Sequence, residues 1–128
     1  MSTSASSTCK SNVEELYQMI NTGQMLDAFE KFYADDVVMI EATGEVRKGK
    51  DISREFEKKF LAGIKEIHGG GTPYIAANED AGVTFVETWM DVTFQDGNRV
   101  KMEQIARQKW DGDKIVEERF YYNAAGMM

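Results

Sequence analysis

One carboxylate in the first third of the chain stands where a proton acceptor could work. Glu41 comes directly after residues 37–40, a β-branched apolar run that predicts a short buried strand. A carboxylate that loses its water without gaining a partner can accept a proton near neutral pH. We therefore predict Glu41 as a general base. The competing interpretation is a solvated glutamate at the end of a strand.

Further polar groups are predicted on one face of a hairpin. The Asp-Gly dipeptide at 96–97 lies between two extended segments and favours a two-residue hairpin loop. Such a loop places Trp89 opposite Gln104 and Glu87 opposite Ala106. These four side chains then share one face of the sheet.

The last strand is predicted to add to the same face. If Asp-Gly-Asp at 111–113 forms a three-residue loop, Glu118 lies opposite Ala106 and Phe120 lies opposite Gln104. A shift of one residue would exchange the faces of the strand. That register would instead present Glu117, Arg119 and Tyr121.

A face that mixes large apolar groups with acids and amides is typical of a lined cavity rather than of a dry core. We predict a ligand pocket there, completed by aromatic side chains of the preceding segments. Aromatic residues at alternating positions are also typical of a plain core, and that interpretation stays open. The predicted ligand contacts are Tyr17, Tyr33, Phe56, Glu87, Trp89, Met102, Gln104, Ala106, Glu118 and Phe120.

The elements that must position these groups follow from the apolar spacing. Residues 11–20, 25–32 and 50–64 carry apolar side chains three and four apart, which predicts three amphipathic helices, the first capped by Ser11. The stretch 69–73 contains three glycines and a proline and is interpreted as a turn or hinge. Antiparallel strands fill the rest. The fold class is α+β, with helices packed on one face of a curved sheet.

Composition limits the classes of function. The chain has 128 residues, so we expect a disordered tail at 1–10 and a single domain at 11–128. A formal net charge of −7 argues against nucleic acid, and no apolar stretch predicts a membrane span. Cys9 is the only cysteine and His68 the only histidine, so no disulfide or zinc site is expected. We expect a cytoplasmic protein without a cofactor or metal.

Three segments together resemble the SnoaL-like and ketosteroid-isomerase-like families of the nuclear transport factor 2-like superfamily. They are Tyr-Ala-Asp-Asp-Val-Val at 33–38, Gly-Lys-Asp-Ile at 49–52 leading to Phe56, and Trp-Asp-Gly-Asp-Lys-Ile-Val-Glu at 110–117. The resemblance spans most of residues 12–123. It implies a cone made of a six-stranded curved antiparallel sheet wrapped by three helices, with a pocket that opens toward the helices, in a protein that is usually dimeric.

The resemblance also assigns roles, residue by residue. The isomerase's general base falls on Glu41, whereas its two oxyanion donors fall on Leu16 and Ala106, which cannot donate. Steroid isomerisation is therefore not expected, because the dienolate needs such donors. Supporting tyrosines of the isomerases fall on Tyr33 and Glu57, and the last-strand carboxylate of the related cyclases and epoxide hydrolases falls on Phe120.

The sequence features are consistent with two functions. The first is an enzyme without a cofactor, an isomerase, cyclase, dehydratase or hydrolase that acts on a small apolar, oxygen-bearing molecule through a pocket carboxylate. The second is a domain of the same fold that binds a ligand or a protein without catalysis. In either case the apolar back of the sheet predicts a homodimer.

Overall fold

A computed structural model describes residues 8–123 and confirms the α+β class. Three helices pack on one face of a six-stranded sheet with the strand order β2-β1-β6-β5-β4-β3. The helices are α1 (Cys9–Asn21), α2 (Met25–Phe32) and α3 (Lys50–Ala62). The strands are β1 (Tyr33–Ile40), β2 (Val46–Lys48), β3 (Ile64–Asn78), β4 (Val83–Phe94), β5 (Arg99–Asp111) and β6 (Lys114–Tyr121).

The sheet is mixed rather than wholly antiparallel. Strands β1 and β6 run parallel, with Met39 opposite Glu118, and all the other neighbouring strands are antiparallel. The parallel pair brings the first strand beside the last one. It thereby places Tyr33 and Glu118 on neighbouring strands, although they are far apart in the sequence.

The first helix begins earlier than the sequence predicts. Thr8 is the N-cap and forms a capping box with Ser11, so Ser11 is the third helical residue and not the cap. The Glu79 carboxylate accepts from the backbone N–H groups of Cys9 and Lys10. Residues 9 and 10 therefore belong to the folded domain. The rest of the predicted tail, residues 1–7, lies outside the described residues.

The helices bury their apolar stripes against the sheet. Leu16 of α1 and Phe29 of α2 lie in the core, and Phe32 meets the indole of Trp110 edge-on with ring centroids 6.0 Å apart. Because α1 and α2 cover the sheet together, they form a roof over its inner face. None of the helices within residues 8–123 has both the length and the apolar character that crossing a membrane requires.

The hairpin between β4 and β5 differs from the predicted register by one residue. Gly97 N–H donates to the Phe94 carbonyl and Phe94 N–H to the Asn98 carbonyl, so three residues form the loop. Gly97 has φ +91°, the left-handed conformation that closes such a loop. Trp89 consequently pairs with Glu103 and not with Gln104. The two faces of β4 are therefore exchanged relative to the prediction.

The hairpin between β5 and β6 also differs in detail, but it keeps the predicted face. Asp111 pairs with Lys114, so the loop has two residues rather than three, and a bulge follows between Lys109 and Trp110. Gln108 then lies opposite Glu118, and Ala106 lies opposite Phe120. The shorter loop and the bulge each move the register by one residue, so the same side chains of β6 still face inward.

The glycine stretch lies inside strand β3, and its prediction as a turn is wrong. A Cβ atom at Gly71 would be 2.8 Å from Nε1 of Trp89, and one at Gly69 would be 3.3 Å from the same indole. The glycines therefore make room for a large side chain on the neighbouring strand. The sequence-based interpretation missed this because glycine is also the commonest residue of turns.

The three-residue hairpin loop gives a stability test. In Gly97→Ala, we expect the free energy of unfolding to fall by roughly 1–2 kcal/mol, because a residue with a Cβ atom is sterically strained in the left-handed conformation. No atom lies within 4 Å of the added Cβ, so the loss is conformational. Gly97→Asn is the control and should lose less, because asparagine tolerates this conformation. Urea denaturation of the two variants measures the difference; equal losses would contradict the loop assignment.

Candidate active site

A cavity of about 390 Å³ lies between the helices and the inner face of the sheet. Its helical side is formed by apolar residues of α1 and α2 and by Phe56, Glu57 and Phe60 of α3. Its floor consists of side chains from β4, β5 and β6. The wall is mostly apolar, so the few polar groups within it determine its chemistry.

The innermost acidic group is Glu118, whose residue is 1% exposed. The Tyr33 hydroxyl donates to its Oε1 at 2.5 Å, and the Gln108 amide donates to its Oε2 at 2.8 Å. Burial raises the pKa of Glu118 to about 7, although both hydrogen bonds act in the opposite direction. The charges of Glu57 and Glu41 raise this pKa further. Glu118 can therefore hold or release a proton at neutral pH.

A second layer of hydrogen bonds fixes the amide that holds Glu118. Gln108 is fully buried, and its Oε1 accepts from the Thr84 hydroxyl at 2.7 Å. The Thr84 oxygen in turn accepts from Nε1 of Trp110 at 2.9 Å. This chain leaves the Gln108 amide with its N–H groups toward the cavity. The orientation of the donor to Glu118 is thus set by two strand residues, Thr84 and Trp110.

Two tyrosine hydroxyls lie beside the buried carboxyl group. Tyr33 donates to Glu118, and Tyr17 of α1 forms a hydrogen bond with Gln108. Burial raises the pKa of both phenols well above the ordinary value, and the neighbouring charge of Glu118 raises it further. Both tyrosines therefore stay protonated and act as hydrogen-bond donors.

A second carboxyl group with a raised pKa, that of Glu57, lies on the helical side of the cavity. Glu57 of α3 lines the cavity, and burial raises its pKa to about 7. The charge of Glu41 raises this pKa as well, whereas Arg47 lowers it. The cavity thus contains two carboxyl groups that titrate near neutrality, one on the sheet and one on a helix.

Glu41 follows β1 as predicted and lines the cavity, but both of its oxygens have partners. Arg47 of β2 donates to Oε2 at 2.6 Å, and the Tyr122 hydroxyl donates to Oε1 at 2.9 Å. The Arg47 guanidinium also stacks on the ring of Phe56, 3.7 Å from its centroid. Glu41 therefore forms part of an ion pair at the cavity wall, and its role as a base stays a prediction.

The structure brings most of the predicted contacts to one cavity. The lining includes Tyr17, Tyr33, Phe56, Met102, Gln104, Glu118 and Phe120. Ala106 is fully buried on the same sheet face but is not part of the lining. Phe120, where the family resemblance placed a last-strand carboxylate, has no carboxyl group, and the buried carboxyl group of β6 is that of Glu118, two residues earlier.

Two predicted contacts do not enter the cavity as expected, because the register of β4 differs. Glu87 is exposed on the back of the sheet, where it pairs with Ile105. Trp89 borders the cavity, yet its indole packs on Gly69 and Gly71, and Lys101 lies 4.9 Å from its ring centroid. The inner face of β4 instead carries the alternate residues of the strand, which include Thr88 and Met90.

Two residues of the site were not identified from the sequence. Glu57 follows Phe56 in the apolar stripe of α3, and a charged residue at the edge of such a stripe is ordinarily solvated. Gln108 was not named among the predicted contacts. A signal existed for it, because a buried glutamine two residues from a buried tryptophan requires partners.

The chain was compared with protein families and solved structures. The model of the SnoaL-like domain family matches residues 8–122. No curated protein matches. A protein from Mesorhizobium loti described as a SnoaL-like polyketide cyclase is 28% identical, with a TM-score of 0.75, covering 88% of this chain and 97% of that one.

Two further structures share the fold at lower identity. An NTF2-like protein of unknown function from Burkholderia pseudomallei is 16% identical, with a TM-score of 0.77 and 93% of both chains covered. SalBIII, an epoxide hydrolase/cyclase-like enzyme of pyran ring formation in the polyether salinomycin, is 19% identical, with a TM-score of 0.75 and 92% of both chains covered. These likenesses confirm the nuclear transport factor 2-like cone.

The raised pKa of Glu118 predicts how stability depends on pH. The unfolded chain releases this proton near pH 4.5 and the folded chain near pH 7, so the folded state binds more protons between these values. The contribution of Glu118 is therefore complete below pH 4.5 and is lost as the pH rises through about 7. The loss is on the order of 3 kcal/mol. Glu118→Gln, which cannot ionise, should remove it.

Urea denaturation between about pH 4 and pH 8 measures this effect as the difference between the wild type and each variant. Glu118→Gln should gain stability relative to the wild type as the pH rises. Glu14→Gln changes an exposed carboxylate of α1 and should give a profile parallel to that of the wild type. Parallel profiles for Glu118→Gln and the wild type would contradict the buried, titrating carboxyl group.

Proposed function

The chain belongs to the SnoaL-like domain family, and on this premise we propose that it is an enzyme without a cofactor that transfers protons on a small apolar, oxygen-bearing molecule. Glu118 is the proposed acid and base. The observation that carries the proposal is its carboxyl group, which is buried in the cavity, accepts hydrogen bonds from the neutral donors Tyr33 and Gln108, and has a pKa raised to about 7.

The electrostatics favour Glu118 over Glu41 as the proton-transferring group. General catalysis is most efficient when the pKa lies near the working pH, because both protonation states are then populated. Glu118 meets this condition, and its bonded partners carry no charge. Glu41 is already bonded to Arg47 and Tyr122. We therefore assign Glu41 a structural role at the wall and move the predicted base to the last strand.

A donor for the substrate's oxygen is also available. The Gln108 amide that bonds Tyr17 lowers the pKa of that phenol, which fits an N–H donated to the phenol oxygen. The hydroxyl proton of Tyr17 is then left for an oxygen of the ligand. When Glu118 removes a proton from a carbon beside a carbonyl group, the developing enolate oxygen would be stabilised by such a donor.

Proton removal beside a carbonyl group is the first step common to isomerisation, to carbon–carbon cyclisation and to dehydration of a hydroxyketone. The proposal is thus a reaction type rather than one substrate. The neighbours described as a polyketide cyclase and an epoxide hydrolase/cyclase-like enzyme support acid–base work in a cone of this kind. The nearly continuous apolar wall supports a substrate with few polar groups.

The proposed step can be assayed before the natural substrate is known. Apolar ketones with enolisable protons are incubated with the protein in deuterated water, and proton NMR measures the exchange of those protons for deuterium. We expect the wild type to accelerate the exchange for ketones that fit the cavity. Glu118→Gln should reduce that acceleration by about 10²–10⁴-fold, the usual contribution of a general base.

The exchange experiment has a matched control. Glu14→Gln removes one exposed carboxylate from α1, away from the cavity and from the back of the sheet, and should exchange at the wild-type rate. Equal activity of Glu118→Gln and the wild type would contradict the assignment. Ketones that bind without accelerated exchange in any variant would instead support the second function, a ligand-binding domain without catalysis.

A homodimer through the back of the sheet belongs to the same proposal. Tyr74, Phe85, Ile105 and Tyr121 are exposed large apolar side chains on neighbouring strands of that face. Contiguous exposed apolar side chains commonly mark an interface, and a second copy is the simplest occupant of a self-complementary one. We also propose a cytoplasmic location, since a single cysteine fits a reducing compartment.

Sedimentation equilibrium tests the dimer. The wild type should sediment at twice the chain mass of 14.5 kDa, and Ile105→Glu should shift it toward the monomer by placing a charge in the interface. The control is Ile52→Glu, a change at another exposed isoleucine, on α3. A wild-type monomer, or equal dissociation by both substitutions, would refute the proposed interface.

A further inference from the structure

The cavity wall has one sign of charge. Its ionisable lining residues, apart from three tyrosines, are four glutamates: Glu41, Glu57, Glu103 and Glu118. Among the lining residues within 8–123 there is no lysine, arginine or histidine. A ligand with a carboxylate or phosphate group would therefore enter a field that repels it, and it would find no cation to bind.

Arg47, whose charge acts on Glu57, does not line the cavity and is already paired with a carboxylate. Arg47 is bonded to Glu41 at 2.6 Å and forms a longer contact of 3.7 Å with Glu45. The hydrogen bonds of Glu118 come from neutral groups, and the pKa of Glu57 stays raised although Arg47 lowers it. Glu57 and Glu118 thus have no counter-ion of their own among the residues that the structure describes.

Aromatic rings form much of the remaining wall. Such rings attract cations over their faces, and the structure contains an example at the cavity itself, where Arg47 stacks on Phe56. Further rings line the cavity around the two acids. They include Tyr17, Phe29, Tyr33, Phe60, Phe120 and Tyr122.

Acids without counter-ions inside an aromatic cavity match one chemical class of ligand better than any other. A neutral ligand leaves each buried acid either protonated or charged without compensation. A protonated amine supplies the missing positive charge, and its apolar part fills the remaining volume. At about 390 Å³ the cavity takes a small molecule and not a peptide chain.

We propose that this cavity binds apolar amines in their protonated form, with the ammonium group paired to the carboxylates of Glu57 and Glu118 and the apolar part against the aromatic wall. The inference specifies the charge of the ligand that enters this cavity. It rests on the proposed function only in that both use the same cavity. Proton transfer by Glu118 is not required for it.

Three probes of one shape test the inference. Phenylbutylamine, phenylbutanol and phenylbutanoate share the same apolar part and differ in charge. Titration calorimetry at about pH 8, where the amine is still protonated and the two acids are ionised, should rank the amine first and the carboxylate last. We expect the amine to bind at least about tenfold more tightly than the alcohol. A lower pH should weaken amine binding, because the acids regain their protons, and should not weaken alcohol binding.

Single variants separate the charges from the shape of the cavity. Glu118→Gln and Glu57→Gln should each reduce the preference for the amine over the alcohol several-fold, and Glu14→Gln, at an exposed position of α1, should leave it unchanged. Glu57→Gln changes a half-buried helix residue, so the test holds even if Glu118→Gln fails to fold. An alcohol that binds as tightly as the amine at pH 8, or a preference untouched by both cavity variants, would overturn the inference.

The outcomes also distinguish this inference from the proposed function. Amine preference without any accelerated proton exchange supports the inference and contradicts the enzyme. Exchange that depends on Glu118, in a cavity with no preference for the amine, overturns the inference and leaves the enzyme intact.

Discussion

The structure depends on one buried carboxyl group that is bonded but not neutralised. Removing a carboxylate from water is costly unless other groups replace the lost hydrogen bonds. At Glu118 these groups are a phenol and an amide, which satisfy both oxygens without supplying a charge. The carboxyl group is therefore ordered in either protonation state. A guanidinium in the same place would have held it permanently ionised and removed its capacity to exchange a proton.

That arrangement requires four strands to be in register. The donors and their supports come from β1, β4, β5 and β6: Tyr33, Thr84, Gln108 and Trp110 surround Glu118. The parallel pairing of β1 with β6 brings the phenol beside the acid, and the bulge in β6, where Val116 is the extra residue, aligns the acid with the glutamine. A slip of one residue in any of these pairs would turn a donor to the opposite face. The core of the sheet is thus also the support of the site.

The sequence was sufficient for the fold class, the three helices, the cavity and the inward face of β5 and β6, because these follow from apolar periodicity. It was not sufficient for β4. An Asp-Gly dipeptide fits a two-residue loop and also a three-residue loop ending in a left-handed glycine, and the choice exchanges the faces. Glu118 was placed on the correct face because two deviations of one residue add up to a shift of two, which keeps the face and changes its cross-strand partner from Ala106 to Gln108. The glycines of β3 were misread since their partner, Trp89, is distant in sequence.

The sequence also could not rank the glutamates, because their reactivity depends on partners rather than on position along a strand. Glu41 had the clearest local signal, yet Arg47 comes to it from β2, a strand of three residues that carries almost no periodicity. Glu57 and Glu118 had weaker signals and receive no such partner. One side of the cavity therefore has the ion pair of Glu41 with Arg47, whereas Glu57 and Glu118 line the cavity without such an ion pair. This difference raises the pKa of two carboxyl groups to about 7 and is the common physical basis of the proposed amine binding and the proposed proton transfer.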